Sequence, residues 1–122
     1  MSGSGKLGFD ALNTALKAAC EETRLRVLAL LADAELTVSD LTDILRQSQP
    51  RISRHLKLLA EAGLIERFRE GTCAFFRLAE HGGGAELARV LLDRLNPADQ
   101  TIARDRARLA SVRATRAAAA QV

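Results

Sequence analysis

Apolar side chains recur every three or four positions through the first third of the chain, the spacing of helices that bury one face. The first predicted helix covers residues 9–20, and the second ends near Asp33. A third is expected to begin at Thr37, because Thr37 and Asp40 have the spacing of a capping box. The pattern therefore predicts three short helices in close succession.

A fourth helix is predicted to start at Ser48 or Gln49, after a turn over residues 46–48. Pro50 falls in its first turn, where the missing backbone N–H costs no hydrogen bond, and Gly63 lies where a left-handed helix stop is expected. The residues expected to form its buried stripe are Ile52, Leu56 and Leu59. Two helices joined by so tight a turn indicate a helix-turn-helix.

After Gly63 the hydrophobic period changes from helical to alternating. Residues 64–69 and 73–78 predict two strands, and residues 70–72 predict the tight turn of a hairpin. Four helices, a hairpin and two further helices have the order of a winged helix-turn-helix. The predicted fold class is therefore mainly α with a small β-hairpin, a winged helix-turn-helix that forms a dimer.

The C-terminal part is predicted to contain two helices. Residues 81–84, His-Gly-Gly-Gly, predict a flexible break before the fifth helix, and the sixth is predicted to open at Pro97 with Asn96 as its N-cap. From residue 91 to residue 112 the apolar positions alternate steps of four and three, interrupted only by Asp105, as in a helix–helix seam. Such a patch is expected to need a partner, which predicts a dimer surface shared with the first helix. Its residues are Leu12, Leu16, Leu91, Leu95, Ile102, Leu109 and Val112.

The turn before the fourth helix and the first part of that helix carry cations and no acid. Residues 46–57 contain three arginines, one lysine and one histidine. A positive helix face braced from behind by apolar packing is suited to a DNA major groove. The predicted DNA contacts on this helix are Ser48, Gln49, Arg51, Ser53, Arg54, His55 and Lys57. We expect Gln49, Ser53 and Arg54 near base edges, and Ser48, His55 and Lys57 at phosphates; a solvated polar surface is the alternative.

The predicted hairpin carries Arg67, Arg69 and Arg77, which we expect to project from one face and to follow phosphates in the adjacent minor groove. The alternative is ordinary edge-strand charge that discourages aggregation. Arg24 and Arg26 are expected to be ion-pair partners rather than DNA contacts.

Composition agrees with one domain that binds nucleic acid. Of 122 residues, 48% are hydrophobic, so a core needs no metal or disulfide, and the net charge of +3 permits an anionic partner. Four Phe without Trp or Tyr argue against a single-strand binder that stacks bases. The predicted division is a disordered segment at residues 1–8, the DNA-binding domain at 9–95, and a dimerising helix with an Ala-rich tail at 96–122.

Other classes of protein find little support in the residues. No stretch is long and apolar enough for a membrane span, and the N-terminus lacks a signal-peptide core, so a cytoplasmic location is expected. No catalytic set and no glycine-rich cofactor loop between strand and helix is recognisable, so neither an enzyme nor a cofactor is predicted. Cys20 and Cys73 are expected to be small, semi-buried residues; the alternative is a thiol switch.

Four stretches of the chain resemble the ArsR/SmtB family of bacterial repressors. They are TRLRVLALL (23–31), ELTVSDLTDIL (35–45), SQPRISRHLKLLAEAGLIE (48–66) and REGTCAFFRL (69–78). The resemblance covers roughly residues 9–95. It implies a homodimer that binds double-stranded DNA at an inverted-repeat operator and is released by an effector.

The resemblance also indicates what the effector is not. Arsenic-sensing members carry Cys-Val-Cys where this chain has Thr37-Val38-Ser39, and zinc-sensing members use histidines that the last helices here lack. Persulfide sensors pair cysteines on other elements than those holding Cys20 and Cys73. An unknown small molecule that is not a metal is therefore the expected effector, with a thiol-responsive repressor as the alternative.

The C-terminal sequence LLDRLNPADQTIARDRARLASVRATRAAAAQ resembles, more narrowly, members of this family fused to an S-adenosylmethionine-dependent methyltransferase domain. The chain stops before any methyltransferase motif. Two alternatives follow, a stand-alone regulator or the DNA-binding portion of such a fusion.

Overall fold

A computed structural model describes residues 5–120 and has the predicted order of elements. The elements are α1 Phe9–Ala19, α2 Glu22–Asp33, α3 Val38–Leu45, α4 Gln49–Glu61, β1 Ile65–Glu70, β2 Cys73–Leu78, α5 Gly83–Asp93 and α6 Gln100–Ala120. The fold is mainly helical with one antiparallel hairpin, as predicted. Of the N-terminal segment expected to be disordered, residues 1–4 lie outside the described residues, and residues 5–8 form neither helix nor strand.

The two helices of the helix-turn-helix begin where their capping residues predict. The Thr37 N–H donates to the Asp40 carboxylate at 2.9 Å, and the Asp40 N–H donates to Thr37 Oγ1 at 3.1 Å, which completes the capping box of α3. Ser48 caps α4 by accepting from the Arg51 N–H at 3.4 Å, and Pro50 lies in the first turn. Both predicted helix starts are confirmed. The capping residues mark them in the sequence because the free N–H groups of a first helical turn need hydrogen-bond partners.

The hydrophobic core lies behind α4. Ile52, Leu56 and Leu59, the predicted stripe, are each at most 1% exposed and pack in one cluster with the buried faces of α2 and α3. Burying a side chain of this size stabilises the fold by about 1.5–3 kcal/mol. The hairpin joins the cluster through Phe76, whose backbone exchanges two hydrogen bonds with Leu36. The stripe therefore fixes the rotation of α4 about its own axis.

Two glycines of the predicted break over residues 81–84 have a packing role within α5, so the connection before the helix is shorter than predicted. Gly83 and Gly84 form the first turn of α5, and Gly84 is buried. A Cβ on Gly84 would lie 2.3 Å from the carbonyl oxygen of Gly63. Gly63 itself ends α4 with a φ of +79°, the left-handed stop that was predicted. Gly84 is required because two backbones are in close contact there, and Gly63 is required because its φ is positive.

Helix α6 begins three residues later than predicted. Asn96 does not cap it: its Oδ1 accepts from the Ala98 N–H in a local turn. Asp99 is the cap, because its Oδ1 accepts from the Thr101 N–H at 2.9 Å and from the Ile102 N–H at 3.3 Å. Leu95, a residue of the predicted dimer surface, lies in the connection between α5 and α6.

The heptad-like seam of α6 is buried within the protomer, so the prediction that it needs a partner chain is wrong for its central residues. Ile102 and Leu109 are 7% and 4% exposed, and α6 packs across α2 and α3. The one polar residue of the seam, Asp105, accepts two hydrogen bonds from Arg26 of α2, at 2.8 and 2.9 Å. A guanidinium placed beside it lets the carboxylate lie in an otherwise apolar contact.

The arginines of α6 attach it to α2 and α3. Arg106 pairs with Asp33 at 2.9 Å, and the Arg113 guanidinium donates to the Asp33 carbonyl at 3.2 Å. Arg116 binds the Asp40 carboxylate. Although burial alone raises the pKa of Asp40, the hydrogen bonds from Arg116 and Thr37 outweigh it and hold that pKa below its ordinary value. No helix within residues 5–120 has the length and apolar character needed to span a bilayer.

We expect Asp105→Ala to lower the free energy of unfolding by about 3–5 kcal/mol, because it leaves the buried Arg26 guanidinium without a counter-charge. The measurement is urea denaturation followed by circular dichroism. Arg106→Ala removes the exposed pair with Asp33 and should cost at most about 1 kcal/mol. Equal losses in the two variants would contradict the role assigned to the buried pair.

Candidate nucleic-acid interface

The N-terminal half of α4 presents a polar surface to solvent. The exposed residues on and next to this helix include Ser48, Gln49, Arg51, Ser53, Arg54 and Lys57. Among residues 5–120, neither Arg51 nor Arg54 has a carboxylate within ion-pair distance. Lys57 is 4.0 Å from Glu61, but both side chains are well exposed and such a pair holds the ammonium only weakly. All the DNA contacts predicted for α4, except His55, are therefore accessible.

The turn between α3 and α4 is fixed by two residues. Arg46 adopts the left-handed conformation, with a φ of 59°, and its Nε donates to the Asp43 carbonyl at 3.1 Å. The Gln47 amide donates to the Thr23 hydroxyl of α2 at 2.8 Å. This turn sets the angle at which α4 leaves α3.

His55 points into the protein, so its prediction as a phosphate contact is not supported by its position. Its side chain is only 13% exposed, and its Nδ1 lies 3.2 Å from a guanidinium nitrogen of Arg24. Because a guanidinium only donates, Nδ1 is the acceptor and the ring proton is on Nε2. Burial lowers the pKa of His55, helped by the charges of nearby arginines and opposed by Glu21. Arg24 also donates to the Ala18 carbonyl, so this contact connects α4 to the α1–α2 junction.

The hairpin divides its three arginines between two faces, which corrects the prediction of one cationic face. Arg67 pairs with Phe76 and Arg69 with Ala74, whereas Arg77 pairs with Glu66. Directly paired residues of an antiparallel hairpin share a face, and neighbours along a strand alternate. Arg67 and Arg69 therefore lie on one face and Arg77 on the other.

Arg77 is committed to contacts within the protomer. It lies 3.1 Å from Glu66, 3.5 Å from Glu80 and 3.8 Å from Glu35, and its guanidinium stacks 4.5 Å from the centre of the Phe68 ring. The hydrogen bond to Glu66 raises the pKa of Arg77 further. We therefore remove Arg77 from the set of candidate DNA contacts.

The exposed side of α4 and one face of the hairpin form a continuous surface. Ser53, Lys57 and Arg67 line a groove of about 460 Å³ between them, with Leu56 and Phe76 among its apolar lining residues. We call this the α4–wing surface, and it consists of Ser48, Gln49, Arg51, Ser53, Arg54, Lys57, Arg67 and Arg69.

Both cysteines are free thiols on the surface, not the semi-buried residues that were expected. Cys20 follows the last turn of α1, and Cys73 begins β2 at the tip of the hairpin. Residues at the ends of helices and strands have few neighbours to cover them. The hydrophobic pattern of the sequence did not indicate that the two cysteines would be exposed. The two residues therefore lie on different elements, each open to solvent.

The described part of the chain, residues 5–120, contains no group of three or more His, Cys, Asp or Glu side chains placed to hold a metal ion. Thr37, at the place of a thiolate ligand in the arsenic-sensing type, uses its hydroxyl to cap α3. Asp105 is bound by Arg26.

The exposed apolar surface lies on α1 and α5. Phe9, Leu12 and Leu16 are 83%, 39% and 43% exposed on one side of α1, and Val90 of α5 is 61% exposed. Leu91 and Leu95 are half-buried, as is Val112, which packs against the core. Phe9 and Val90 were missed in the predicted dimer surface, although Phe9 shares the helical spacing of Leu12 and Leu16.

Known proteins share this fold. The sequence profile of the bacterial regulatory protein, arsR family, matches residues 21–67. The arsenical resistance operon repressor of Escherichia coli K12 is 47% identical over 66 residues, which are 53% of this chain and 56% of that protein. The chain thus spans little more than half the length of that relative.

Two solved structures cover more of the fold. The structure of HlyU from Vibrio cholerae N16961, a transcriptional activator, is 32% identical with a TM-score of 0.59, over 67% of this chain and 88% of HlyU. The homodimeric winged helix-turn-helix DNA-binding domain of Mb0332 from Mycobacterium bovis is 30% identical with a TM-score of 0.61, over 67% of this chain and 75% of that one.

The fold and the α4–wing surface define a winged helix-turn-helix protein of the kind found in bacterial transcriptional regulators. With these relatives, the chain belongs to the ArsR family.

We expect His55 to make the stability of the fold depend on pH. Because the folded-state pKa lies below the ordinary value of about 6.5, the contribution of neutral His55 is complete above that pH and is lost as the pH falls through the lowered pKa. Urea denaturation between about pH 7.5 and pH 5 measures it. His55→Gln should flatten the decrease, and His81→Gln, at the exposed histidine, should leave it as in the wild type. Identical curves for His55→Gln and the wild type would refute this.

Proposed function

We propose that the chain is a homodimeric, sequence-specific DNA-binding transcriptional repressor. The observation that carries the proposal is the exposed face of α4 over residues 49–57, which contains no acid and whose opposite face is locked into the core by Ile52, Leu56 and Leu59. A rigid helix whose arginines have no competing carboxylate has the shape and charge that a major groove accepts. The E. coli relative is a repressor, which supports that direction of regulation. No catalytic step is part of the proposal.

Each side chain of the α4–wing surface has a role set by its chemistry. Gln49 can bind adenine and Arg54 guanine in the bidentate manner, with Ser53 beside them at the base edges. Ser48, Arg51 and Lys57 contact phosphates, which set the register without reading sequence. The residues Arg67 and Arg69 follow the phosphates of the adjacent minor groove.

The second copy is proposed to pack on the exposed apolar faces of α1 and α5. Phe9, Leu12, Leu16 and Val90 form the centre of that contact, since large exposed apolar side chains mark an interface. The homodimeric Mb0332 domain supports a dimer of this fold. Two α4 helices about 34 Å apart would then enter successive major grooves of an inverted repeat.

The effector is proposed to be a small molecule rather than a metal, and the narrower likeness to methyltransferase-fused regulators stays a prediction. A thiol-responsive repressor is the second candidate, because Cys20 and Cys73 are both exposed and free. Replacing both by Ser and titrating DNA binding with peroxide separates the two candidates.

Arg54→Ala and Gln49→Ala should each weaken binding to the operator by about 1–3 kcal/mol and leave binding to random duplex nearly unchanged, because each removes a base contact. Lys57→Ala should weaken both and reduce the slope of log K against log salt by about 1. The measurement is fluorescence anisotropy with the upstream region of the gene at several salt concentrations.

The hairpin provides a matched control for that experiment. Arg67→Ala should weaken binding to both duplexes, whereas Arg77→Ala, which removes the same charge from the other face, should change it little. Equal binding of specific and random DNA by every protein would overturn the base-reading assignment.

We expect Leu16→Glu to convert the dimer into a monomer, because it places a charge in the apolar contact of α1. Analytical ultracentrifugation measures the mass, and Ala110→Glu, on the exposed side of α6, is the control that stays dimeric. A dimer that persists in Leu16→Glu and in Phe9→Glu would place the interface elsewhere.

A further inference from the structure

A cleft of about 400 Å³ lies between α3 and α6, apart from the α4–wing surface. Its lining contains three arginines: Arg46 from the turn after α3, and Arg108 and Arg116 from α6. Its volume lies within the range typical of small-molecule sites in proteins, about 300–1,000 Å³.

Two of these guanidinium groups are held in place without being neutralised. Arg46 donates its Nε to the Asp43 carbonyl at 3.1 Å, and Arg108 donates to the Ile44 carbonyl at 3.0 Å. Within residues 5–120, neither of them has a carboxylate within ion-pair distance, whereas Arg116 is bound by Asp40. Each guanidinium carries five N–H donors, so most of the donors of Arg46 and Arg108 remain unused by these contacts.

The charged groups near Arg108 are mostly cationic. Burial lowers the pKa of Arg108, and the neighbouring Arg46 and Arg104 lower it further, against a smaller opposing effect of Asp105. Two fixed cations close enough to disfavour each other's charge are relieved by an anion placed between them.

The rest of the lining consists of two carboxylates, apolar surface and hydroxyl groups. Of the carboxylates, Asp40 is bound by Arg116, and Asp43 is the one that opposes an anion. Val112 and Ala119 supply the apolar contacts, and Ser111 and Thr115 supply the hydroxyls, all from one side of α6. This combination fits a molecule with an anionic group at one end and a small apolar body at the other, and it is less suited to a free metal ion.

We propose that the α3–α6 cleft binds a small organic anion, its carboxylate or phosphate group held by Arg46 and Arg108. This inference adds a ligand site to the proposed function, and its predicted effect on DNA affinity rests on that function. Because Arg46 is the left-handed residue of the turn between α3 and α4, an anion bound there acts on the angle of α4. A ligand that binds one arrangement of this turn more tightly than another shifts the protein toward that arrangement. The affinity for DNA then changes by at most the ratio of the ligand's two affinities.

Isothermal titration calorimetry of the full chain without DNA tests the site, with benzoate, succinate and inorganic phosphate as probes and benzamide as the neutral match of benzoate. We expect saturable binding of at least one anion, one per protomer, and binding of benzamide at least about tenfold weaker than that of benzoate. Absence of saturable binding for all three anions up to about 10 mM would overturn the proposal.

Variants distinguish arginines that bind an anion from arginines that only hold α6 against α3. Arg108→Gln and Arg46→Gln should each weaken anion binding about tenfold or more, and Arg89→Gln, the same charge change on α5, should leave it unchanged. Asp43→Asn removes a carboxylate from the lining of the cleft and should tighten binding about twofold to fivefold, a gain that loss of folding cannot produce. Equal effects of Arg89→Gln and Arg108→Gln would show attraction by net charge only and would refute the site.

The effect on DNA is measured separately, so the two proposals fail in different ways. If the protein binds operator, the anion that binds best should shift its operator affinity in the wild type and not in Arg108→Gln. Anion binding without any DNA binding would overturn the proposed function and leave the cleft assignment standing.

Discussion

Burial of the aliphatic stripe of α4 is the constraint on which the rest of the molecule depends. Ile52, Leu56 and Leu59 are almost completely removed from solvent, and turning the helix about its axis would expose all three. At about 1.5–3 kcal/mol for each side chain, the free-energy cost of that rotation would be comparable to the whole free energy of unfolding of a small domain. Gln49 and Arg54 therefore face outward because the stripe faces inward. The outward surface is rigid before any DNA is present, which lowers the entropy that binding has to overcome.

Arginine serves opposite purposes in different parts of the chain, and the neighbours decide which. Arg26 is buried and needs Asp105, since an unpaired charge in the core would be far too costly. Arg77 is surrounded by three glutamates and an aromatic ring. On α4, Arg51 and Arg54 have no acid beside them and remain available. The uneven distribution of acids, more than the modest net charge, defines the surface that can meet a polyanion.

The helix-turn-helix is held from two sides, by one contact to its second helix and one to its first. Arg24 connects His55 of α4 to the α1–α2 junction, next to the exposed apolar face proposed to form the dimer. On the other side α6 lies across α3, and Arg108 binds the end of that helix. These contacts join the helix-turn-helix to the proposed dimer contact on one side and to the proposed ligand cleft on the other.

The sequence by itself determined the features that depend on neighbours within a few positions: the caps at Thr37 and Ser48, the stripe of α4, the stop at Gly63 and the hairpin. Such features are local because helix ends, turns and hydrophobic periods are satisfied by residues close in the chain. Most of the exposed face of α4 followed from the same periodicity, since residues off the stripe point away from the core.

The tertiary structure alone decided which surfaces meet. The period of α6 showed that one side would be buried, but it could not show that α2 and α3 of the same protomer would cover it, and the dimer surface was assigned there wrongly. The strand register placed Arg77 opposite Glu66, on the face away from Arg67, and packing turned His55 inward to Arg24. Arg26 and Asp105 lie 79 positions apart, and a pairing at that distance has no local signature. A hydrophobic pattern specifies that a side chain leaves water, whereas its partner is chosen only when the helices pack.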